Sequence, residues 1–490
     1  MFIYMVSSEA VPYIQTGGLG DVVGTLAKQL TLKGHKVTLV LPFYKSIKAR
    51  EREFALKPLS KPLTVKMGNR SLESKIWRTS PETNLNIYFI EYNDFFDRND
   101  LYGEAGEEYK DNGRRFAFFS KAALDLSIHL KVKPDVIHIN DWQTSLIAYY
   151  LKTWFWKEPL FKNTASVLTI HNLGYQGHFP MSNSEFVGLN WMQMRSDEFE
   201  DNNGINPLKG GLFYADMITT VSPTYAKEIL SEPGGCGLSD YLTRRQNDIV
   251  GILNGIDDQE WHCETDRFIP QTFSANDLSG KKLCKAALQK RFGLNPDPAV
   301  PVFGMVGRLA YQKGMQLLMG CLEDVMSWEL QLVVLGSGNP FYAGYFENLQ
   351  RYFPEKVGIY IGFQNELAHL IEAGSDFFIM PSLYEPCGLN QIYSMLYGSL
   401  PIVRATGGLA DTVRNFDEET QSGTGFVFDD ITSEALKNTI GWALSTWYDK
   451  PESYKTVQLS AMKQDFGWQT AVEKYETVYD QAMGRRKSWS

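Results

Sequence analysis

Short, nearly continuous apolar runs recur along this chain, each followed by a stretch with helical spacing, and they come in two series. The first series is FIYMV (2–6), KVTLVL (36–41), NIYFIEY, DVIHIN (135–140) and SVLTIH (166–171), with helical patterns at 21–33, near 114–130 and near 143–155. VGILNGID (250–257) closes it, and irregular patterning continues to about residue 278. The second series is VPVFGMVG (300–307), LQLVVLG (330–336), VGIYIG (357–362), DFFIMP (376–381) and LPIVRA (400–405). Apolar strands alternating with helices indicate parallel sheets covered on both faces. The pattern therefore predicts an α/β chain of two open, doubly wound sheets in tandem, with a linker near 252–256. WQTAVEKYETVYDQAM (468–483) predicts an amphipathic terminal helix. Ligands of such sheets bind beyond the carboxyl ends of the strands, so the loops after each run are where chemistry is expected.

The length of 490 residues agrees with at least two domains. Lys plus Arg total 48 against 57 Asp plus Glu, a net charge of −9, which argues against nucleic acid as a partner. Five scattered cysteines (236, 263, 284, 321 and 387), none spaced C-x-x-C, fit a reducing compartment without a zinc knuckle. There is no run of about 18 apolar residues to span a bilayer and no basic-then-apolar leader. The expectation is a cytoplasmic protein, or a plastid one if a transit peptide was removed. The seven histidines form no close ligand pair, and no H-E-x-x-H, P-loop or G-x-S-x-G occurs, so neither a metal nor a cofactor is expected.

The first loop reads YIQTGGLGDVVG (13–24). It is not a dinucleotide fingerprint: the third glycine falls at Gly24, one position late, and the second strand ends LVLPFY without an acidic residue for a ribose. By itself the stretch admits either a strand-to-helix turn or a ligand loop, and Asp21 could cap the helix or reach the ligand. NDWQ (140–143) and TIHNLGYQG (169–177) put Asp141 and His171 at the same sheet edge. In the second series, Arg308 and Lys313 of GMVGRLAYQKG (304–314) follow a strand, and a guanidinium fork with an ammonium suits a departing diphosphate. Glu385 opens EPCGLNQ (385–391), where a helix start could offer N–H groups to a phosphate. TGGLADTV (406–413) repeats the GGL-and-Asp turn of the first half.

Taken in order, SSE (7–9), TGGLGDV (16–22), NDWQ, TIHNLGYQG, YADMITTVSPTYAKEI (214–229), LNGID (253–257), VGRLAYQKG (306–314), EPCGLNQ and TGGLADTV resemble the bacterial glycogen synthase and plant starch synthase family over nearly the whole chain. The resemblance implies the GT-B fold, two Rossmann-like domains facing a central cleft. It divides the chain into 1–252, 253–464 and a helix, 465–490, crossing back to the first domain. It also implies transfer of glucose from ADP-glucose to the non-reducing 4-OH of an α-1,4-glucan, with retention and without a metal. Arg308 and Lys313 would bind the diphosphate and stabilise the leaving ADP. Glu385 would contact the glucosyl ring, with Cys387, Gly388 and Leu389 around it. His171 would lie beside the transferred glucose with Asn172, and Asp141 would shape that pocket. Gly17, Gly18 and Asp21 would face the donor from the first domain, joined by Asn254, by Thr406 and Gly407, and by Phe363 near adenine. A front-face transfer is implied, the departing phosphate oxygen taking the acceptor's proton, so no carboxylate pair at glycosidase spacing is expected.

One position departs from the family: its loop is Lys-x-Gly-Gly-Leu, and Gln15 stands where the lysine belongs. Glutamine keeps hydrogen bonding and loses the charge. Two readings follow, a tolerated variant compensated by Arg308 and Lys313, or a functional change: altered donor preference, slower transfer, or a requirement for a particular acceptor. A weakened glucan-binding relative and a UDP-glucose enzyme are the competing functions.

Overall fold

The computed structural model describes residues 1–104, 106–257 and 260–488, and the chain divides into two compact units. Unit 1 comprises residues 1–221, 226–254 and the C-terminal helix, and unit 2 comprises residues 222–225 and 255–467.

Unit 1 is built on ten strands: β1 (Phe2–Val6), β2 (Lys36–Pro42), β3 (Lys57–Pro58), β4 (Leu63–Met67), β5 (Arg70–Glu82), β6 (Leu85–Glu91), β7 (Val136–Asn140), β8 (Ala165–Ile170), β9 (Met217–Thr220) and β10 (Ile249–Gly251). Their order is β10-β9-β8-β7-β1-β2-β6-β5-β3, with β4 on β5. Every pair from β10 to β6 is parallel. Residues Ile3 to Val6 have no exposure, as expected of a strand covered on both faces. The helices that position the site are α1 (Gly18–Leu32), α2 (Asn112–His129) and α3 (Asp141–Lys152). The first begins three residues ahead of the apolar periodicity because two glycines and a leucine supply its first turn.

The β3–β6 edge is antiparallel, and the apolar-run pattern did not single out residues 57–82. Their signal has period two: β4 alternates buried and exposed residues, as a strand wetted on one face must.

Unit 2 is a six-stranded, wholly parallel sheet: β11 (Val302–Leu309), β12 (Gln331–Gly338), β13 (Val357–Ile361), β14 (Phe377–Met380), β15 (Leu400–Arg404) and β16 (Phe426–Phe428). Their order is β13-β12-β11-β14-β15-β16. Crossover helices α4 (Met315–Val325), α5 (Pro340–Tyr352), α6 (Asn365–Gly374), α7 (Asn390–Leu396) and α8 (Gly407–Thr412) follow the first five strands in turn. α9 (Ser433–Asp449) packs over α4 and β16.

The last helix, α10 (Trp468–Ser488), clusters with unit 1. Tyr475 and Tyr479 on it are fully buried, and the Tyr479 hydroxyl meets His138 Nδ1 at 2.9 Å. His35 Nε2 lies 2.6 Å from Glu476, and Arg485 pairs with Asp248. Among the described residues, no helix is long and apolar enough to cross a membrane.

In each sheet the strand order reverses once beside the first strand of its series. β1 has β2 on one side and β7 on the other, and β11 has β12 and β14. The loops leaving the carboxyl ends of those pairs part in opposite directions and leave a crevice.

Candidate active site

In unit 1 α3 follows β7 directly, and its first residue, Asp141, has φ of 53°, a left-handed conformation uncommon for a residue with a side chain. Such a backbone costs about 1–3 kcal/mol and persists only where surrounding contacts fix it. Those contacts run to the next strand: Asp141 Oδ1 accepts the His171 N–H at 2.7 Å, and the Asn172 N–H also donates to its carboxylate. Burial pushes the Asp141 carboxyl up to about 7; the His171 and Asn172 amides pull it back down, and Glu9 adds to the rise. The start of α3 and the loop after β8 are thereby tied together, bringing Asp141, His171 and Asn172 into one group.

Asn140, fully buried at the end of β7, orients the imidazole. Its Nδ2 donates to the Val6 carbonyl at 3.1 Å, which leaves Oδ1 facing His171 Nε2 at 3.0 Å. The ring proton is therefore assigned to Nε2. Burial, with a smaller push from His138, lowers His171 to about 3, so at neutral pH it is an uncharged ring. Sequence reasoning named Asp141 and passed over its neighbour, because a strand-end Asn reads as an ordinary turn residue.

The loop after β1 carries Gln15, Gly17, Gly18 and Asp21. Gln15 Nε2 donates to Asp21 Oδ2 at 2.6 Å. Gly17 is the N-cap residue of α1, and no side chain caps the helix, so Asp21 does not have the capping role. The four glycines of this stretch divide into two pairs. A methyl group at Gly24 would sit 2.4 Å from the Val11 carbonyl, and one at Gly20 would crowd Gln15 and the Ile14 carbonyl at 3.1–3.2 Å. At Gly17 and Gly18 it would meet no atom of the described residues within 4 Å. Gly17 is also extended, at φ −168°, a conformation any residue adopts. Packing therefore requires glycine at 24 and leaves little room for more at 20, and neither packing nor backbone strain requires it at 17 and 18. Asn254, which ends the second segment of this unit, is buried, and its Oδ1 has no hydrogen-bond partner among the described residues.

In unit 2 the loops after β11 and β14 meet. Lys313 Nζ lies 2.5 Å from Glu385 Oε2, and Ser382 Oγ donates to the same oxygen at 3.0 Å. Arg308 belongs to β11 itself, one residue from its end, and reaches Gln312 at 3.3 Å; Gln312 in turn donates to the Tyr384 carbonyl at 3.3 Å. Asn390 Nδ2 ties the start of α7 to the Val306 carbonyl at 2.7 Å. Gln312 and Asn390 lie inside the quoted motifs, and only the three-dimensional loop pairing reveals them.

The loop after β15 closes this group. The Gly408 N–H donates to the Glu385 carbonyl at 3.0 Å, and Gln391 Nε2 holds the Cys387 and Gly388 carbonyls. Gly407, at φ 43°, could not carry a side chain, since its methyl would lie 2.0 Å from the Glu385 carbonyl oxygen. Thr406 and Cys387 are buried beside it, and Leu389 packs on Ile392 and Tyr393. Phe363 stands apart, 77% exposed in the loop after β13. Among the described residues, no three His, Cys, Asp or Glu side chains converge in a metal-binding set.

Two doubly wound units, one with uncrowded backbone at a helix start and the other with a lysine, an arginine and a buried carboxylate, are consistent with a glycosyltransferase of the GT-B class. Comparison with known proteins agrees. The sequence family described as "Starch synthase catalytic domain" matches residues 2–244, and "Glycosyl transferases group 1" matches residues 288–457. Glycogen synthase 1 of Geobacter sulfurreducens is 43% identical over 486 residues, 99% of this chain and 97% of that protein. Glycogen synthase of Treponema denticola is 42% identical over the full length of both. Among solved structures, the catalytic domain of starch synthase IV from Arabidopsis thaliana, bound to ADP and acarbose, superposes with a TM-score of 0.89 at 33% identity, covering 99% of each chain. Sucrose-phosphate synthase from Thermosynechococcus elongatus, at 18% identity and a TM-score of 0.59, shares the fold. The chain belongs to the glycogen and starch synthase family of glycosyltransferases, which places its chemistry in glucan synthesis.

Proposed function

We propose that the protein transfers glucose from ADP-glucose to the non-reducing 4-OH of an α-1,4-glucan, with retention of configuration. The observation that carries this reading is the absence of any packing or conformational reason for Gly17 and Gly18. Two glycines in open space at the start of a 15-residue helix suit the close approach of an anionic ligand to uncapped N–H groups. Arg308 and Lys313 are the cations for the diphosphate. Lys313 is paired with Glu385, so donor binding draws its ammonium into a shared position between carboxylate and phosphate. Glu385, held by Lys313 and Ser382, orients the glucosyl ring, with Cys387, Gly388, Leu389, Thr406 and Gly407 forming the wall around it.

His171 is uncharged, so it serves the transferred glucose by position and hydrogen bonding rather than as a proton donor. Asp141 fixes that loop through two backbone amides. Retention follows from front-face transfer, the leaving phosphate oxygen accepting the proton of the acceptor hydroxyl. The chain's own share is then positioning, with charge stabilisation from Arg308 and Lys313. Asn254, with its unpartnered buried oxygen, offers an acceptor to a sugar hydroxyl, and the exposed ring of Phe363 offers a face to adenine.

The test is transfer of labelled glucose to glycogen from ADP-glucose and, separately, UDP-glucose, with the new linkage read by NMR. Transfer from ADP-glucose into α-1,4 linkages supports the reading. Preference for UDP-glucose overturns the donor assignment, and no transfer from either donor overturns the function.

A further inference from the structure

Glu9 ends the SSE stretch after β1, and none of the roles above uses it. It is 3% exposed, yet both carboxylate oxygens are occupied by donors from the chain. Thr16 reaches it twice, through its N–H and through Oγ1 at 2.8 Å, and the Gly17 N–H also donates to it. The Tyr102 hydroxyl donates to Oε1 at 2.5 Å and touches Ser8 Oγ at 2.8 Å. Tyr102 is itself braced from α2: Asn112 Nδ2 donates to its carbonyl at 2.8 Å, and the fully buried Arg115 donates to the Leu101 carbonyl at 2.9 Å. A buried carboxylate thus stands as a post between the end of β1 and the two residues that lead into Gly18. Burial alone pushes its carboxyl up, and the donors from Tyr102, Thr16 and Gly17 oppose that rise. A buried acid with this many donors is costly to build and specifies one geometry. That geometry belongs to the one stretch of α1 whose glycines packing does not require.

We propose that Glu9 is a positioning residue for the nucleotide-sugar donor: anchored by Tyr102, it fixes Thr16 and Gly17 so that the first N–H groups of α1 stay directed at the donor's phosphates. This rests on the reading that the glycine loop receives those phosphates. Glu9 touches no reacting atom. It sets where the loop backbone stands, and a loop that wanders by about 1 Å loses affinity for a ligand held by N–H groups.

Glu9→Gln tests it, because an amide keeps the shape but puts an NH2 against one of the donors. The readouts are the donor KM, the glycogen KM, kcat, the Kd of ADP by calorimetry, and the thermal midpoint. Expected are a donor KM and an ADP Kd raised about tenfold, with the glycogen KM and kcat within about twofold of wild type. Tyr102→Phe and Thr16→Val, which each remove one donor, shift donor KM in the same direction by less and keep the test alive if Glu9→Gln does not fold. Val65→Ala, a core truncation on β4, is the stability control, and it lowers the midpoint without moving donor KM. Unchanged donor KM and ADP Kd in the Glu9, Tyr102 and Thr16 variants, whatever their melting behaviour, overturn the proposal. Wild type that neither binds ADP nor transfers glucose overturns the reading beneath it as well, an outcome visible before any variant is made.

Discussion

The turn TGGLGD at 16–21 and the turn TGGLAD at 406–411 differ by one residue in sequence, and the molecule uses their glycines in opposite ways. At Gly407 and Gly408 an added methyl would lie 2.0 Å from the Glu385 and Cys387 carbonyl oxygens. Those glycines let α8 press against the EPCGL loop and lock it. At Gly17 and Gly18 the same methyl would enter open space. The second unit therefore carries side-chain charge on a self-packed loop, and the first unit offers backbone with room left beside it. A shared sequence signature marks the same strand-to-helix position without fixing what the glycines are for.

Four outcomes bear on that contrast, beginning with the largest. Arg308→Ala is expected to cut kcat about 10²–10³-fold, with the thermal midpoint close to wild type, because the proposed function has the guanidinium serve the leaving diphosphate. Near-normal turnover would remove charge from the second unit's role. Gly408→Ala is expected to cost about 2–3 kcal/mol of stability, read from denaturant unfolding, because backbone must move to admit the methyl. An unchanged midpoint would mean the two turns are not different after all.

The third outcome is pH dependence in the first unit. Burial holds His138 and His171 at about 3 against an ordinary 6.5. Their contribution is fully present above pH 6.5 and is lost as pH falls toward 3, since only the unfolded chain takes up those protons. Asp141, raised from 3.8 to about 7, works in the opposite sense: its contribution is present below 3.8 and is lost as pH rises through 7. Calorimetry at pH 5 and pH 7 should find the first unit melting earlier at pH 5, two histidines outweighing one carboxyl. Asp141→Asn should steepen that drop, and a shallower drop would contradict the opposed signs of the histidines and the carboxyl. The smallest effect belongs to Gln15→Lys. Exchanging the 2.6 Å hydrogen bond from the Gln15 amide to Asp21 for an ion pair in an exposed loop should change donor KM by only a few-fold, measured in initial rates.

Much of this was legible in the sequence, and the gaps have physical causes. Each apolar run became a strand with at least one parallel neighbour, because burial on both faces leaves an uninterrupted signal. Residues 57–82 escaped because an edge sheet wetted on one face alternates, and a short alternating run resembles a loop. The late Gly24, which spoiled the dinucleotide fingerprint, has its reason in the Val11 carbonyl against α1. Asp141, His171, Lys313 and Glu385 were visible as polar residues at strand ends. The supporting residues Asn140, Tyr102, Gln312 and Asn390 were not, because a hydrogen bond between segments distant in sequence leaves no spacing to read.

Gly17 and Gly18, on this reading, are shaped for a ligand and not for the fold. The decisive variant is Gly17→Ala/Gly18→Ala in one chain, with thermal midpoint and ADP-glucose affinity read from the same preparation. The expected result is a midpoint within about 2 °C of wild type and an affinity weakened at least about tenfold. Wild-type affinity in the double variant would show that neither glycine serves the donor.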